Sequence, residues 1–261
     1  MVIGPGPDVG PPYASLGMYP FPHLMPAWER LWAIVRRDAP WAPERLRWDG
    51  EVQDHWRDPA CAVAHACGWP VAAELGDLVD VVGAFTLALP DADGHRYRSV
   101  LLATDPGALV RAAAARPDPD LVLAANSADS LSGWISLLAA LGLPAWPGAV
   151  RWTGAHVRSL AALRAGWAHL ACIDSLTLAH LRAADPAVDA GLHLVGTGPW
   201  IPNPAVVVRR GTSAEARRAL ALALRVAVAD PAVGRPLRYD GFVELSATDY
   251  EPTTRLVPAS S

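Results

Sequence analysis

The sequence predicts an α/β protein of two lobes with a ligand cleft between them. Short apolar segments alternate with longer amphipathic ones, the pattern of strands alternating with helices. The block from about 105 to 200 has its own strands and helices, and the chain crosses between lobes near 98–103 and again near 206–209. Two crossings place a cleft between the lobes, facing the carboxyl ends of the strands. The expected boundaries are 13–104 and 200–261 for lobe 1 and 105–199 for lobe 2.

The first lobe is predicted to begin with a strand at 14–19 and a helix at 26–38. The helix follows from four apolar residues that recur on one face, Trp28, Leu31, Trp32 and Val35, with Pro26 in the first turn. Apolar runs bounded by turn residues then predict strands at 60–66, 79–85 and 98–103 and a helix at 71–75. Residues 39–58 stay unassigned.

The second lobe is predicted to repeat a strand–helix unit. The same periodicity places helices at 108–115, 135–143, 156–166 and 175–184, and strands at 121–125, 149–152, 170–173 and 192–196. On return to the first lobe we expect a strand at 204–209 and a helix over 213–229 with Ser213 as its N-cap. The alternation indicates largely parallel sheets, and the tail over 242–256 reads as a polar surface segment.

Composition excludes several functions. The formal net charge is −4 and no basic stripe is present, so we expect no nucleic-acid partner. The chain has no lysine, which excludes a lysine Schiff base and the usual attachment of pyridoxal phosphate. Cys61, His65 and Cys67 could form part of a metal site, but small buried thiols are common in cores. We expect no cofactor, no metal ion and no catalytic residue.

The amino terminus suggests a cytoplasmic location for the chain as given. Residues 1–12 are rich in glycine and proline and lack the charged and apolar regions of a secretory signal. A periplasmic or cell-surface location would apply if a leader had been removed. Because no run of eighteen apolar residues occurs, we expect no membrane insertion.

The segment 126–134, Asn-Ser-Ala-Asp-Ser-Leu-Ser-Gly-Trp, is the most informative part of the chain. It lies between a predicted strand and a predicted helix. Serine hydroxyls at such a position can cap the first N–H groups of the helix. They can also bind an anion beside those N–H groups, where the helix dipole favours negative charge. A serine-rich N-cap without a ligand and an anion site are both compatible with this pattern.

An ordered set of motifs resembles a known family. The motifs are Tyr97-Arg98-Ser99-Val100, the serine segment up to Gly133, Thr153-Gly154-x-His156-x-x-Ser159-Leu160 and Ala171-Cys172-Ile173-Asp174, with Leu16-Gly17-Met18-Tyr19 and Cys67-Gly68-Trp69-Pro70 before them. Over residues 14–250 the chain is similar to the phosphate, phosphite and phosphonate substrate-binding proteins of ABC transporters. The resemblance implies the type II periplasmic-binding-protein fold.

The resemblance also implies roles for individual residues. Ser130, Ser132 and the N–H groups around Gly133 would hold the oxygens of the anion. His156 would face the same anion, and Asp174 would point into the cleft toward a protonated oxygen or an amine. Tyr19 and Trp69 would line the mouth of the cleft. The implied partners are a small anionic ligand and an ABC permease.

Each of these residues has a structural alternative. His156 could cap the helix that begins there, and Asp174 could be the N-cap of the next helix. Trp69 and Tyr19 could belong to the core. For the whole protein, the leading hypothesis is the binding of a small oxyanion or compact anionic metabolite. The alternative is a cytoplasmic enzyme of cofactor biosynthesis on the same fold, with His156 and Asp174 as acid and base.

Overall fold

The computed structural model describes residues 10–257, and it divides them into two compact units. Unit 1 contains the described residues up to Arg96 together with Pro202–Pro252, and unit 2 contains Tyr97–Ile201 together with the described residues from Thr253 onward. Most of the glycine- and proline-rich start, and residues 258–261 of the expected first lobe, lie outside the described residues. No helix within 10–257 is long and apolar enough to cross a membrane.

The strands form one sheet in each unit. In chain order they are β1 Tyr13–Ser15, β2 Arg45–Leu46, β3 Cys61–Ala66, β4 Val79–Leu87, β5 Arg96–Ala103, β6 Leu123–Ala125, β7 Val150–Trp152, β8 Leu170–Ile173, β9 His193–Pro202, β10 Ala205–Arg209 and β11 Tyr239–Glu244. The sheet of unit 1 has the order β11-β4-β10-β3-β1-β2, and that of unit 2 has the order β7-β6-β8-β5-β9.

Helices follow most of the strands. The α-helices are α1 Met25–Asp38, α2 Val52–Arg57, α3 Gly68–Ala73, α4 Ala108–Ala112, α5 Ser136–Leu141, α6 His156–Arg164, α7 Ser175–Ala184, α8 Ala214–Ala229 and α9 Pro231–Leu237. A π-helix over Leu131–Ile135 runs directly into α5, and short 3-10 helices span Pro22–Leu24, Ala247–Asp249 and Glu251–Arg255. The predicted apolar face of α1 is buried, and Ser213 caps α8 as predicted.

Unit 1 is built around aromatic side chains. Trp28 of α1 is fully buried and lies edge-on to Phe85 and Tyr239, whose rings stack with 4.4 Å between their centroids. In the same unit, the buried Ser15 at the end of β1 is hydrogen-bonded to His55 of α2 at 2.8 Å. Burial lowers the pKa of His55, so the neutral imidazole is favoured in this pair.

Unit 2 has a core on each face of its sheet. Leu101, Leu123 and Cys172 pack with α5 on one face, and Leu102, Ala124 and Ile173 pack with α6 on the other. Neighbouring residues of a strand point to opposite faces, so these central strands are covered on both sides. Because both faces are buried, these strands are apolar along their whole length and do not alternate between apolar and polar residues.

The sheets are mixed, and this corrects the prediction of largely parallel sheets. The pairs β1–β2, β1–β3, β6–β7 and β6–β8 are parallel, but β10 runs antiparallel to β3 and β4, and β5 runs antiparallel to β8. β5 and β10 are the strands near which the chain passes from one unit to the other. These strands are far apart in sequence, so local periodicity does not indicate whether they pair in parallel or antiparallel.

Three further expectations differ from the structure. Val100–Ala103 of β5 pair with β8, and β5 lies in unit 2 from Tyr97 onward, whereas we expected residues 98–103 in lobe 1. Residues from Thr253 onward also lie with unit 2. The expected surface tail begins with β11, in which Phe242 packs against Phe85, and it contains the fully buried Tyr250. The burial of this segment was not recognised in the sequence, because its aromatic residues occur singly among polar ones.

Candidate functional site

Three strand ends meet at one edge of the sheet of unit 2. β6 is parallel to both β7 and β8, so the residues that follow Ala125, Trp152 and Ile173 lie at the same edge. A helix begins soon after each of these strands: the π-helix that leads into α5, then α6, and then α7. The first N–H groups of these helices are therefore gathered near one another, which favours negative charge.

The serine segment forms the start of the first of these helices. Ser130 is the N-cap, and its hydroxyl oxygen accepts a hydrogen bond from the Gly133 N–H at 3.1 Å. Ser132 lies in the same turn, and both serines are buried, with 5% and 8% of their surface exposed. Ser136 donates to the Leu131 carbonyl at 2.7 Å and so stabilises the π turn. A single π-helical turn within an α-helix is frequent at functional sites.

Close packing requires a glycine at position 133. Its backbone has no positive φ, but a Cβ there would lie 2.0 Å from Asn126 Oδ1 and 2.9 Å from Ser130 Oγ. The Asn126 side chain therefore rests directly on this glycine. Asn126 was not among the predicted site residues, although it is the first residue after β6.

Ser132 and His156 form the central pair of the site. His156 Nε2 lies 2.9 Å from Ser132 Oγ, and the Asp174 N–H lies 3.4 Å from Nδ1 of the same ring. Burial lowers the pKa of His156, while the neighbouring Asp174 acts in the opposite direction. The imidazole is therefore favoured in its neutral form, which has one donor and one acceptor nitrogen. The structural alternative of a helix cap is not seen, because the N-cap of α6 is Ala155 and His156 is the first residue of the helix.

The turn after β7 holds His156 in place. The Thr153 hydroxyl lies 3.1 Å from the carbonyl oxygens of Ala125 and Ala155 and 2.7 Å from Ser159 Oγ. Gly154 has a φ of +76° and donates its N–H to the Asn126 carbonyl at 2.8 Å. The conformation favours glycine at this position. These contacts fasten the start of α6 to the serine segment.

Asp174 has the structural role of a helix N-cap, which was the alternative to a ligand contact. It is the N-cap of α7, and Oδ1 accepts from the Thr177 N–H at 2.6 Å. Oδ2 accepts from the Tyr97 hydroxyl at 2.5 Å, and only 2% of the residue is exposed. Tyr97 is itself buried. Tyr97 belongs to one of the sequence motifs, but its contact with Asp174 was not predicted, because the two residues are 77 positions apart.

The remaining two predicted site residues lie in unit 1. Tyr19 is buried, and its ring lies 6.0 Å from that of His65. Trp69 is in the first turn of α3 and is partly exposed. Ser130, Ser132, Gly133, His156 and Asp174 are thus brought together in unit 2, while the roles of Tyr19 and Trp69 stay predictions.

The possible metal motif does not form a metal site in the part of the chain that the structure describes. Within residues 10–257 there is no cluster of three His, Cys, Asp or Glu side chains that could hold a metal ion. Cys61 and Cys67 are buried, and His65 Nε2 lies 3.2 Å from the Pro204 carbonyl. These three residues therefore belong to the core of unit 1.

Comparison with known proteins identifies the family. Residues 71–250 match the family model described as ABC transporter, phosphonate, periplasmic substrate-binding protein. Among solved structures, the binding-protein component of an ABC phosphonate transporter from Pseudomonas aeruginosa is 17% identical, with a TM-score of 0.70 over 94% of this chain and 84% of that one. PhnD1 from Prochlorococcus marinus in complex with methylphosphonate is 10% identical, with a TM-score of 0.69 over 94% and 96%.

A protein from Xanthomonas citri bound to chloride ion is similar as well, at 14% identity and a TM-score of 0.67 over 94% of this chain and 95% of that one. No curated protein matches at the level of sequence. The predicted periplasmic-binding-protein fold is therefore confirmed. Because the family model covers well over half of the sequence, the chain belongs to the family of periplasmic substrate-binding proteins of phosphonate ABC transporters.

Proposed function

We propose that this protein is the solute-binding component of an ABC importer and that it binds a phosphonate, phosphite or phosphate group at the serine segment of unit 2. The observation that carries the proposal is the 2.9 Å contact between Ser132 and His156 at a sheet edge where three helices begin. The family match supports solute binding and gives no support to the alternative of a biosynthetic enzyme.

The donors of the site suit an oxyanion. Hydroxyl and N–H groups can replace the water around a phosphonate oxygen without a formal positive charge. The Ser130 hydroxyl oxygen already accepts from Gly133, which leaves its proton for a ligand oxygen. In the tautomer with the proton on Nε2, His156 donates to Ser132, and the Ser132 proton is then also available to the ligand.

In this proposal Asp174 has a supporting role in the structure of the site. Its carboxylate is engaged by Tyr97 and Thr177, so it orients α7 and the backbone N–H that faces His156. We propose that Tyr19 and Trp69 of unit 1 contact the same ligand, as the family resemblance implies. The partner would be an ABC permease.

The binding test is a thermal-shift and calorimetric screen with methylphosphonate, phosphite, phosphate and sulfate. A ligand at one hundred times its Kd stabilises a protein by about 2.7 kcal/mol. The double variant Ser130→Ala/Ser132→Ala should lose about 1.5–3 kcal/mol of affinity for each charge-assisted hydrogen bond removed. Thr104→Val is the matched control, because Thr104 follows β5 at the opposite edge of the sheet and its hydroxyl has no hydrogen bond with other described residues. A screen without any binding would refute the proposal.

We also propose that the protein acts outside the cytoplasmic membrane, as the family description says of its members. The test is fractionation of cells that express the gene from its own start, with markers for each compartment. We expect the protein in the periplasmic or cell-surface fraction. Recovery in the cytosolic fraction alone would contradict this location and would favour the cytoplasmic expectation drawn from the amino terminus.

A further inference from the structure

One surface of unit 2 has a charge opposite to that of the whole protein. Residues 130–173 contain three arginines and no aspartate or glutamate, although the formal net charge of the chain is −4. The arginines Arg151, Arg158 and Arg164 are exposed, and none of them forms an ion pair with a described carboxylate. The positive charge of this surface is therefore not neutralised by the side chains described around it.

Two exposed tryptophans accompany these arginines. Trp167 follows α6 and is 62% exposed, and the guanidinium carbon of Arg151 lies 5.4 Å from the centroid of the Trp167 ring. Trp152 is next to Arg151 at the end of β7 and is 51% exposed, and its ring lies edge-on to that of Trp134, with 5.1 Å between the centroids. We refer to the exposed arginines and tryptophans together as the β7–α6 surface, which consists of Arg151, Trp152, Arg158, Arg164 and Trp167.

The fold places this surface at the outside of unit 2. In the strand order β7-β6-β8-β5-β9, β7 is an edge of the sheet. On α6, exposed positions recur at Val157, Ala161 and Arg164, which share one face of the helix. A charged residue such as Arg151 can protect a sheet edge, and an arginine in the last turn stabilises a helix. These structural reasons explain the arginines one by one, but they do not explain the two exposed tryptophans.

The chemistry of this surface fits anionic lipid headgroups. An arginine close to an anionic bilayer contributes about fivefold to binding. Tryptophan rings are enriched at the headgroup level of membranes, because the ring is apolar and its N–H is polar. An acidic peptide would match the charge alone, and a symmetric pair of copies would bring the arginines of both surfaces together. A lipid surface is the occupant that uses both features.

We propose that the β7–α6 surface binds the protein reversibly to membranes that contain anionic lipids. The three arginines contact the lipid phosphate groups, and the exposed tryptophan rings lie among the headgroups. Because only side chains of an edge strand, of one helix face and of the turn after it take part, the contact is peripheral. The proposal goes beyond the proposed function and does not depend on the ligand site. In an importer, this contact would keep the protein close to its permease.

The experiment is co-sedimentation of the full chain with phosphatidylcholine vesicles that contain about one third phosphatidylglycerol. We expect binding to these vesicles, weaker binding to pure phosphatidylcholine, and release at about 1 M salt, where the Debye length is ~3 Å. Arg151→Gln/Arg164→Gln should weaken binding by roughly 25-fold. Arg218→Gln/Arg235→Gln is the matched control, because these two exposed arginines of unit 1 also lack an ion pair with described residues and the change in net charge is the same.

Brominated lipids test the aromatic part of the contact. They should quench part of the tryptophan fluorescence of the natural chain on binding, and they should quench less in Trp152→Phe/Trp167→Phe. The changed side chains of all three double variants are exposed, so urea denaturation should show nearly the stability of the natural chain. A difference in vesicle binding then reports the surface and not the fold.

Several results would overturn the proposal. One is the absence of binding to anionic vesicles at low salt. Another is an equal loss of binding in Arg218→Gln/Arg235→Gln, which would show that the attraction has no fixed location on the protein. Binding without quenching by brominated lipids would reduce the contact to charge alone. Binding of poly-glutamate but not of vesicles would assign the surface to an acidic peptide, and a dimer lost in Arg151→Gln/Arg164→Gln would assign it to a second copy. The proposed function stands or falls separately, with the ligand screen.

Discussion

Replacing Gly133 by alanine tests the packing on which the site depends. The new Cβ would lie 2.0 Å from Asn126 Oδ1, which is 1.4 Å less than the 3.4 Å of an ordinary contact, and 2.9 Å from Ser130 Oγ. Overpacking of this kind typically costs about 1–3 kcal/mol. Displacement of Ser130 also removes an N-cap, worth about 1 kcal/mol. We expect the free energy of unfolding to fall by ~2–4 kcal/mol.

The assay is urea denaturation, with methylphosphonate affinity measured in parallel. Gly76→Ala is the matched control, because a Cβ at Gly76 would have no atom within 4 Å and its φ is not positive. In the double variant Asn126→Ala/Gly133→Ala the clash is absent, so much of the stability and affinity should return. The coupling energy between the two sites should lie in the range of about 0.5–3 kcal/mol found for residues in contact. A Gly133→Ala protein with unchanged stability and affinity would refute the argument.

Three further predictions concern Asp174 and His156. Asp174→Ala should lower the free energy of unfolding by ~2–4 kcal/mol, because it removes an N-cap and leaves the buried Tyr97 hydroxyl without this acceptor, whereas Asp174→Asn should cost less in the same denaturation assay. Burial lowers the pKa of His156 in the folded state. The contribution of His156 to the free energy of unfolding should therefore be complete above pH ~6.5 and decrease as the pH falls below that value. The same pH dependence of unfolding in the natural chain and in His156→Gln would contradict this. A bound anion favours the charged imidazole, so the affinity for sulfate, which does not titrate in this range, should increase as the pH falls below ~6.5 in the natural chain but not in His156→Gln.

The site was predictable where its signals are local. The serine segment, the start of α6 at His156 and the Asp174 alternative all follow from the residues that cap a helix after a strand. Parallel strands place such residues at one edge, which brought Ser132 and His156 together as expected. Ser213 at the start of α8 was identified for the same reason.

The features of the fold and of the site that were not predicted depend mostly on contacts between residues far apart in sequence. The antiparallel pairing of β5 with β8 and of β10 with β3 leaves no trace in local periodicity. The Tyr97–Asp174 hydrogen bond likewise joins two residues 77 positions apart, so the sequence did not show this partner of Asp174. The π-helix is also invisible in the sequence, since Leu131–Ile135 has the composition of an ordinary helical turn.

The π turn has a consequence for how this segment can change in evolution. The Ile135 N–H bonds to the Ser130 carbonyl, so the turn contains one residue more than an α-helical turn would. Deleting one residue here would let the segment wind as an α-helix, with four residues in place of five, and the preceding residues would keep nearly the same orientation relative to Leu137, Leu138 and Leu141. The π turn therefore accommodates one extra residue in the serine segment while the leucines of α5 stay on the core. Homologues with and without this insertion should share the leucine spacing but differ by one position at the serines.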